Sequence, residues 1–281
     1  MIDLNTLPSL KEIIQRFELE PKKSLGQNFI LNPEILRKIA RLVPNLSERH
    51  VLEIGPGPGG LTRALLELGA LKVTAIEMDR RCLPALDELS AVVSGRLAIV
   101  EGDALTLNLQ TLAPDAHAIV ANLPYYISTR LLTDWCAYLN HFDCLVLMFQ
   151  KEVAKRICAK PGNKDYGRLS IVVQALAEAS IAFDLPPGAF TPPPKITSSV
   201  VMIKPHKNPP FALDLSTLEK ITQQAFGQRR KMLKSSLRAM SDDIVTDLEN
   251  LEIDPTLRAE DVSVEDYCRL SQKFKSPTSK M

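Results

Sequence analysis

Between residues 50 and 150 the chain alternates short apolar runs with helical stretches, and nothing else in it constrains the fold as strongly. HVLEI (50–54) is a short apolar strand and GPGPGG (55–60) a turn. LTRALLELG (61–69) is a helix that ends in a glycine, as C-terminal caps often do. LKVTAIEMD (71–79) reads as a second strand, followed by a helix through Leu83–Leu89. RLAIVEGD (96–103), HAIVANLPY (117–125) and CLVLMFQKEV (144–153) read as the third, fourth and fifth strands, with TRLLTDWCAYL (129–139) as a helix between the last two. Such alternation predicts an α/β fold, a parallel sheet covered by helices on both faces. Ligands of these sheets sit at the carboxyl ends of the strands, and the unusual residues of this chain lie there.

The flanks read differently. Ser9 and Glu12 form a capping box for an amphipathic helix over 9–20, with Ile13, Ile14 and Phe17 on one side and Pro21 as its stop. A polar stretch, KKSLGQNFI (22–30), precedes a helix over 33–43. YGRLSIVVQALAEA (166–179) carries Leu169, Val172, Val173 and Leu176 at helical spacing. ASIAFDLP (179–186) and TSSVVMIKP (197–205) are two late strands around the loop FTPPPK (190–195). Beyond Pro205 strand signals vanish, KNPP (207–210) is a linker, and short helices follow. Two domains are therefore expected, at 1–205 and 206–281, the second small and all-α.

Charge and cysteine usage narrow the class. The net charge of +1 hides a segregation: residues 219–240 hold six basic groups against one acid, and 241–266 hold ten acids against one base. Five cysteines make an odd set with no C-x-x-C pair, which disfavours structural zinc and a disulfide framework and fits a reducing cytoplasm. His50, His117, His141 and His206 are scattered without metal-ligand spacing, so no metal is expected. The first residues lack the basic-then-apolar order of a secretory leader, and no apolar run approaches the roughly 18 residues of a membrane span. A soluble cytoplasmic monomer is expected. Neither G-x-S-x-G nor G-x-x-x-x-G-K-[ST] occurs, which argues against a serine hydrolase and a P-loop NTPase.

Gly55, Gly57 and Gly60 satisfy G-x-G-x-x-G between a strand and a helix, and Glu77 ends the next strand. Glycines let a ligand approach the backbone, and a carboxylate at the second strand end accepts hydrogen bonds from ribose hydroxyls. The pattern points to an adenosine-containing cofactor. A dinucleotide needs backbone N–H groups on its pyrophosphate, and Pro56 and Pro58 each lack one. A cofactor without phosphates, such as S-adenosylmethionine, fits better. Asp103 ends the third strand, where it either accepts from the cofactor's adenine amino group or caps the next helix.

Asn122-Leu123-Pro124-Tyr125 ends the fourth strand. An exocyclic amine on a base is a poor nucleophile because its lone pair is delocalised into the ring. Two acceptors that hold both N–H hydrogens favour a more tetrahedral nitrogen, able to attack a methyl sulfonium. The Asn122 side-chain oxygen and the Pro124 carbonyl are the expected pair, and Tyr125 offers a flat face for the base. Positioning supplies the rate, and no strong base is required.

These motifs, together with KKSLGQNFI (22–30), IEMDR (76–80), EGDAL (101–105), FQKEVAKRI (149–157), FTPPPKITSSV (190–200) and AFGQRRKMLKSSL (225–237), make the chain similar to the small-subunit ribosomal RNA adenine N6-dimethyltransferases of bacteria. The resemblance spans nearly the whole chain. It implies a Rossmann-like S-adenosylmethionine-dependent methyltransferase sheet, a C-terminal RNA-binding domain, and dimethylation of two adjacent adenines in a hairpin near the 3′ end of small-subunit RNA. By the same resemblance Gln27, Asn28 and Ile30 close over the cofactor. Gly55 and Gly57 lie along its methionine part, Glu77 with Met78 at the ribose, Asp103 with Ala104 at its adenine, and Asn122 between cofactor and target. Leu123 completes the catalytic turn, and Phe190 stacks on the flipped base or plugs its loop. Relatives often carry Asn where Tyr126 stands and Leu where Ile30 stands.

Arg229, Arg230, Lys231 and Lys234 form a short basic run after Phe226-Gly227. They are expected to meet RNA phosphates, contacts that position but carry little sequence information. An unpaired loop is a better target than a duplex, because the adenine must leave its stack. The expected partners are the RNA and the immature small subunit. Rival readings are a resistance-type large-subunit methyltransferase, an NAD(P) oxidoreductase and a non-catalytic assembly factor.

Overall fold

The computed structural model describes residues 7–207 and 213–275. They form two compact units. The first draws on the chain up to Asp134, on His141–Ala154 and on Ser180–Lys204; the second draws on Trp135–Asn140, Lys155–Ala179 and the chain from Pro205 onward. The division therefore does not fall at one point near residue 205. The helix Arg168–Leu176 explains part of this, since its Ile171 and Ala175 share a core with Leu218, Ile221 and Ala225 of the helix Leu215–Gly227. The buried Tyr166 hydroxyl also donates to the Val262 carbonyl at 3.0 Å. Residues 208–210 of the expected linker lie outside the described residues.

The first unit is built on a seven-stranded mixed sheet. A two-residue strand β1 (Phe29–Ile30) comes first in the chain. Then follow β2 (His50–Ile54), β3 (Lys72–Glu77), β4 (Leu97–Glu101), β5 (Ala118–Ala121), β6 (Cys144–Gln150), β7 (Ala177–Leu185), β8 (Phe190–Thr191) and β9 (Ser198–Pro205). The sheet order is β4-β3-β2-β5-β6-β9-β7, with β1 and β8 in a separate antiparallel pair. Neighbours from β4 to β6 run parallel, and β9 lies antiparallel to β6. The chain starts at β2, adds β3 and β4 on one side, then crosses to add β5 and β6 on the other. A crevice opens where the order reverses, at the carboxyl ends of β2 and β5. Every residue of those two strands is buried, as both faces of a parallel sheet require.

Local chemistry sets the ends of the helices. Ser9 and Glu12 make the reciprocal capping box, but the helix spans only Leu10–Arg16, because Glu18 turns left-handed at φ +52°. The fifth strand stops at Gln150, and Lys151–Cys158 is a helix, so the KEV read as strand belongs to the helix. The helix after β5 starts at Tyr125, four residues before the expected Thr129, and runs to Trp135.

In the second unit, the described residues after Pro205 contain the helices Leu215–Gly227, Leu233–Ser236, Ile244–Asn250 and Val264–Lys273. Their only β pairing among the described residues is an isolated bridge between Met232 and Arg258. Phe226 sits between Tyr166 and Tyr267 at centroid distances of 6.3 and 6.2 Å.

Candidate active site

The crevice encloses about 1060 Å³ of space open to solvent and is lined by the first unit alone. Gly55 and Gly57 form its floor with φ +68° and +54°, a left-handed backbone in which other residues are strained. The two glycines serve different ends. A methyl group at Gly57 would come 3.1 Å from Phe29 Cε1, whereas at Gly55 it would meet no protein atom within 4 Å. Gly57 thus permits packing, and Gly55 keeps the floor clear for a ligand.

Glu77 holds this turn. Its Oε2 accepts from the Gly57 N–H at 2.8 Å and its Oε1 from the Asp79 N–H at 2.7 Å. Burial raises its pKa, and the backbone donors oppose that rise. Met78, beside it, lines the crevice and is 48% exposed. Asp103 and Ala104 line it from the end of β4. Asp103 Oδ1 accepts from the Leu105 N–H at 2.9 Å, so one oxygen shapes the turn as a cap would.

Glu53 lines the same wall, and the sequence reading passed over it. It is 1% exposed and its Oε2 has no hydrogen-bond partner among the described residues. Burial pushes its carboxyl up to about 8; Thr62 pulls the other way, and the charge of Glu77 adds to the rise. The clue was available, as an acid inside the apolar run VLEI. A carboxyl with a raised folded pKa keeps its proton after the unfolded chain has lost it, so its contribution to stability is full below about 4.5 and is lost as pH rises towards about 8. Glu53→Gln, permanently neutral, is expected to flatten this dependence. Thermal unfolding midpoints at pH 5 and pH 8 measure it. An equal fall in midpoint for wild type and variant would remove Glu53 as the cause.

The amino-terminal segment closes one side. Gln27 receives the Lys22 N–H on Oε1 and donates through Nε2 to Asp79 Oδ2, both at 2.9 Å. Burial works against ionisation of Asp79, yet hydrogen bonds from Arg81 and Gln27 hold it at about 2. The Asn28 side chain donates to the Gly26 carbonyl at 3.1 Å, and the Asn28 carbonyl accepts from Asn122 Nδ2 at 3.0 Å. Ile30 is buried and lines the crevice.

That last bond orients Asn122. With Nδ2 committed to Asn28, Oδ1 is turned away from it. The expectation for Pro124 needs correction. Its carbonyl accepts from the N–H groups of Ile127 at 3.1 Å and Ser128 at 3.2 Å, because it opens the helix Tyr125–Trp135. The Leu123 carbonyl accepts no hydrogen bond among the described residues, and Leu123 lines the crevice. Tyr125 also lines it; its hydroxyl and Ser198 Oγ are 2.5 Å apart. Burial raises the Tyr125 pKa, and Ser198 counters the rise.

Of the two roles expected for Phe190, the structure favours the plug: it is 4% exposed within the core of the first unit and is paired through β8 with Ile30 of β1. In the second unit, Arg229 is held by Glu260 at 2.5 Å and by the Lys164 carbonyl at 2.8 Å. Arg230 and Lys231 are exposed, and Lys234 is half-buried with Asp254 nearby. Among the described residues no helix is long and apolar enough to cross a membrane, and no group of three His, Cys, Asp or Glu side chains is placed to hold a metal.

A sheet of this order, with a glycine turn and two acids at successive strand ends, defines a Rossmann-like methyltransferase. The sequence profile of the ribosomal RNA adenine dimethylase family matches residues 19–276, and the chain belongs to that family. It is 51% identical over 275 residues to ribosomal RNA small subunit methyltransferase A of Allorhizobium ampelinum, covering 96% of this chain and 99% of the relative. The protein of the same name from Gluconobacter oxydans is 49% identical over 267 residues, covering 95% and 88%. A solved dimethyladenosine transferase from Plasmodium falciparum superposes with a TM-score of 0.76 at 28% identity, over 86% of this chain and 96% of that one. The 23S rRNA methyltransferase ErmE shares the fold, with a TM-score of 0.67 at 24% identity over 89% and 100%.

Proposed function

We propose that this chain transfers methyl groups from S-adenosylmethionine to N6 of two adjacent adenines in a 3′-terminal hairpin of small-subunit ribosomal RNA. It acts in the cytoplasm on immature small subunits. A single chain carries out the reaction, acting as a monomer. Family membership and the small-subunit names of relatives at about half identity support the substrate. The observation that carries the chemistry is the Asn122 amide in the crevice, its Nδ2 held by Asn28, next in sequence to a Leu123 carbonyl that accepts no hydrogen bond among the described residues.

The crevice fits the cofactor. Gly55 leaves its floor clear, and Glu77 retains lone pairs beyond the two it uses. Bound there, S-adenosylmethionine supplies an electrophilic methyl group on a sulfonium. Gly55 and Gly57 would border its methionine part, Glu77 with Met78 would hold the ribose by accepting from its hydroxyls, and Asp103 with Ala104 would hold the adenine by accepting from its amino group. Gln27, Asn28 and Ile30 exclude water on the amino-terminal side.

Asn122 Oδ1 and the Leu123 carbonyl accept the two N6 hydrogens of the target adenine. The nitrogen becomes more tetrahedral and its lone pair is freed to take the methyl group; the S–C bond would break with its electron pair staying on sulfur, and adenosylhomocysteine would leave. Tyr125 stacks on the base, with its ring set by Ser198. The surplus proton leaves to water after transfer, so the site needs no strong base. This is catalysis by position and electrostatics. The exposed Arg230 and Lys231 bind RNA phosphates.

The test is transfer of labelled methyl groups to undermodified small subunits and to isolated large subunits, with the products mapped by mass spectrometry. Dimethyladenine at two neighbouring positions of the small-subunit RNA is expected. Label in large-subunit RNA, or none in either, would overturn the reading.

A further inference from the structure

Tyr126 follows Tyr125 but does not line the crevice, and it is 65% exposed. Successive residues of an α-helix point about 100° apart, so the two rings have different tasks. Tyr125 faces the crevice, with its hydroxyl tied to Ser198. Tyr126 meets solvent, yet one side of its ring is supported. A methyl group on Gly26 would lie 3.2 Å from Tyr126 Cε1, 3.4 Å from its Cδ1 and 3.1 Å from Pro124 Cβ. The Cδ1–Cε1 edge of the ring thus lies close to Gly26, which has no side chain and takes φ +62°, a conformation that other residues rarely adopt.

That support is itself held in place. The Gly26 carbonyl accepts from Asn28 Nδ2, and the Asn28 carbonyl accepts from Asn122 Nδ2. The shelf under Tyr126 is thus linked by two hydrogen bonds to the amide at the centre of the crevice. Lys22, at the start of the same segment, is exposed. A large aromatic ring held along one edge and otherwise open to water is the arrangement that stacks on a base of single-stranded nucleic acid.

We propose that Tyr126 is a second base platform, stacking on a nucleotide that flanks the target adenine. This rests on the RNA-adenine reading given above. The target enters the crevice against Tyr125; Tyr126 lies outside the crevice, so the base it takes is a neighbour, which it holds splayed from the loop.

The experiment compares wild type with Y126A, Y126L, Y126F and Y126W in methyl transfer to undermodified small subunits, with adenosylhomocysteine affinity measured by calorimetry. Y126A is expected to raise the KM for subunits about 10-fold. Y126L should do nearly the same, because bulk without a π face does not stack. Y126F and Y126W should restore KM to within about twofold of wild type, and adenosylhomocysteine affinity should stay constant across the set. The proposal is overturned if Y126A or Y126L matches wild type. It is also overturned if adenosylhomocysteine binding falls in step with KM, since the ring would then only brace Gly26–Asn28. A wild type that methylates no adenine is a separate result, seen before any substitution, and it removes both readings.

Discussion

Asn122→Ala is expected to lower kcat for methyl transfer by at least about 100-fold, while small subunits bind with unchanged affinity. The loss is large because the variant removes an acceptor that acts only as the nitrogen leaves planarity; removing one such positioned group typically costs about 100- to 1000-fold. Asn122→Asp separates acceptance from orientation. It keeps an oxygen for the base, but it cannot donate to the Asn28 carbonyl, which it would face with a lone pair. Its activity should fall between that of wild type and the alanine variant. Steady-state kinetics with labelled cofactor and filter binding of subunits separate the two effects. Turnover of Asn122→Ala near the wild-type rate would contradict the catalytic assignment.

The double variant Arg230→Ala/Lys231→Ala is expected to behave in the opposite way. Both side chains are exposed, whereas Arg229 is already paired with Glu260 and donates to the Lys164 carbonyl. Each phosphate neutralised releases a counterion, so losing two cations should make the slope of log affinity against log salt shallower by about 1.5. Affinity for small subunits in low salt should drop about 10- to 100-fold, and adenosylhomocysteine binding should not change. Alanine at Arg229 alone should weaken RNA binding less, because that guanidinium is engaged within its own unit. A double variant with the wild-type salt slope would place the RNA surface elsewhere.

Much of this was legible beforehand because it is local. The five parallel strands are short apolar runs punctuated by glycine, proline or acid, and each was found within a few residues of its place. The errors fall where two signals share one stretch. KEV directly follows the apolar run of β6 but forms the first turn of the next helix, and the amino-terminal helix stops short because Glu18 turns left-handed ahead of Pro21. The pair β1–β8 escaped notice, since two residues on each side carry no periodicity. Residues 155–179 read as an extension of the first domain, yet Ile171, Ala175 and Tyr166 are buried against partners about 45 to 100 positions later. Pairings at that separation leave no mark on local pattern.

Local patterns in the chain specify the parallel strands, the glycine turn, the acids at the ends of β3 and β4, and the amide after β5. Those follow from backbone preference and periodicity, which act over a few neighbouring residues. The tertiary structure alone decided which groups remain available. It turned the Asn122 oxygen free through Asn28, committed the Pro124 carbonyl to a helix, sealed Phe190 in the core, tied Arg229 to Glu260 and kept a proton on Glu53. Each of these depends on which distant atoms displace water from a polar group, and that is settled only when the chain has closed on itself.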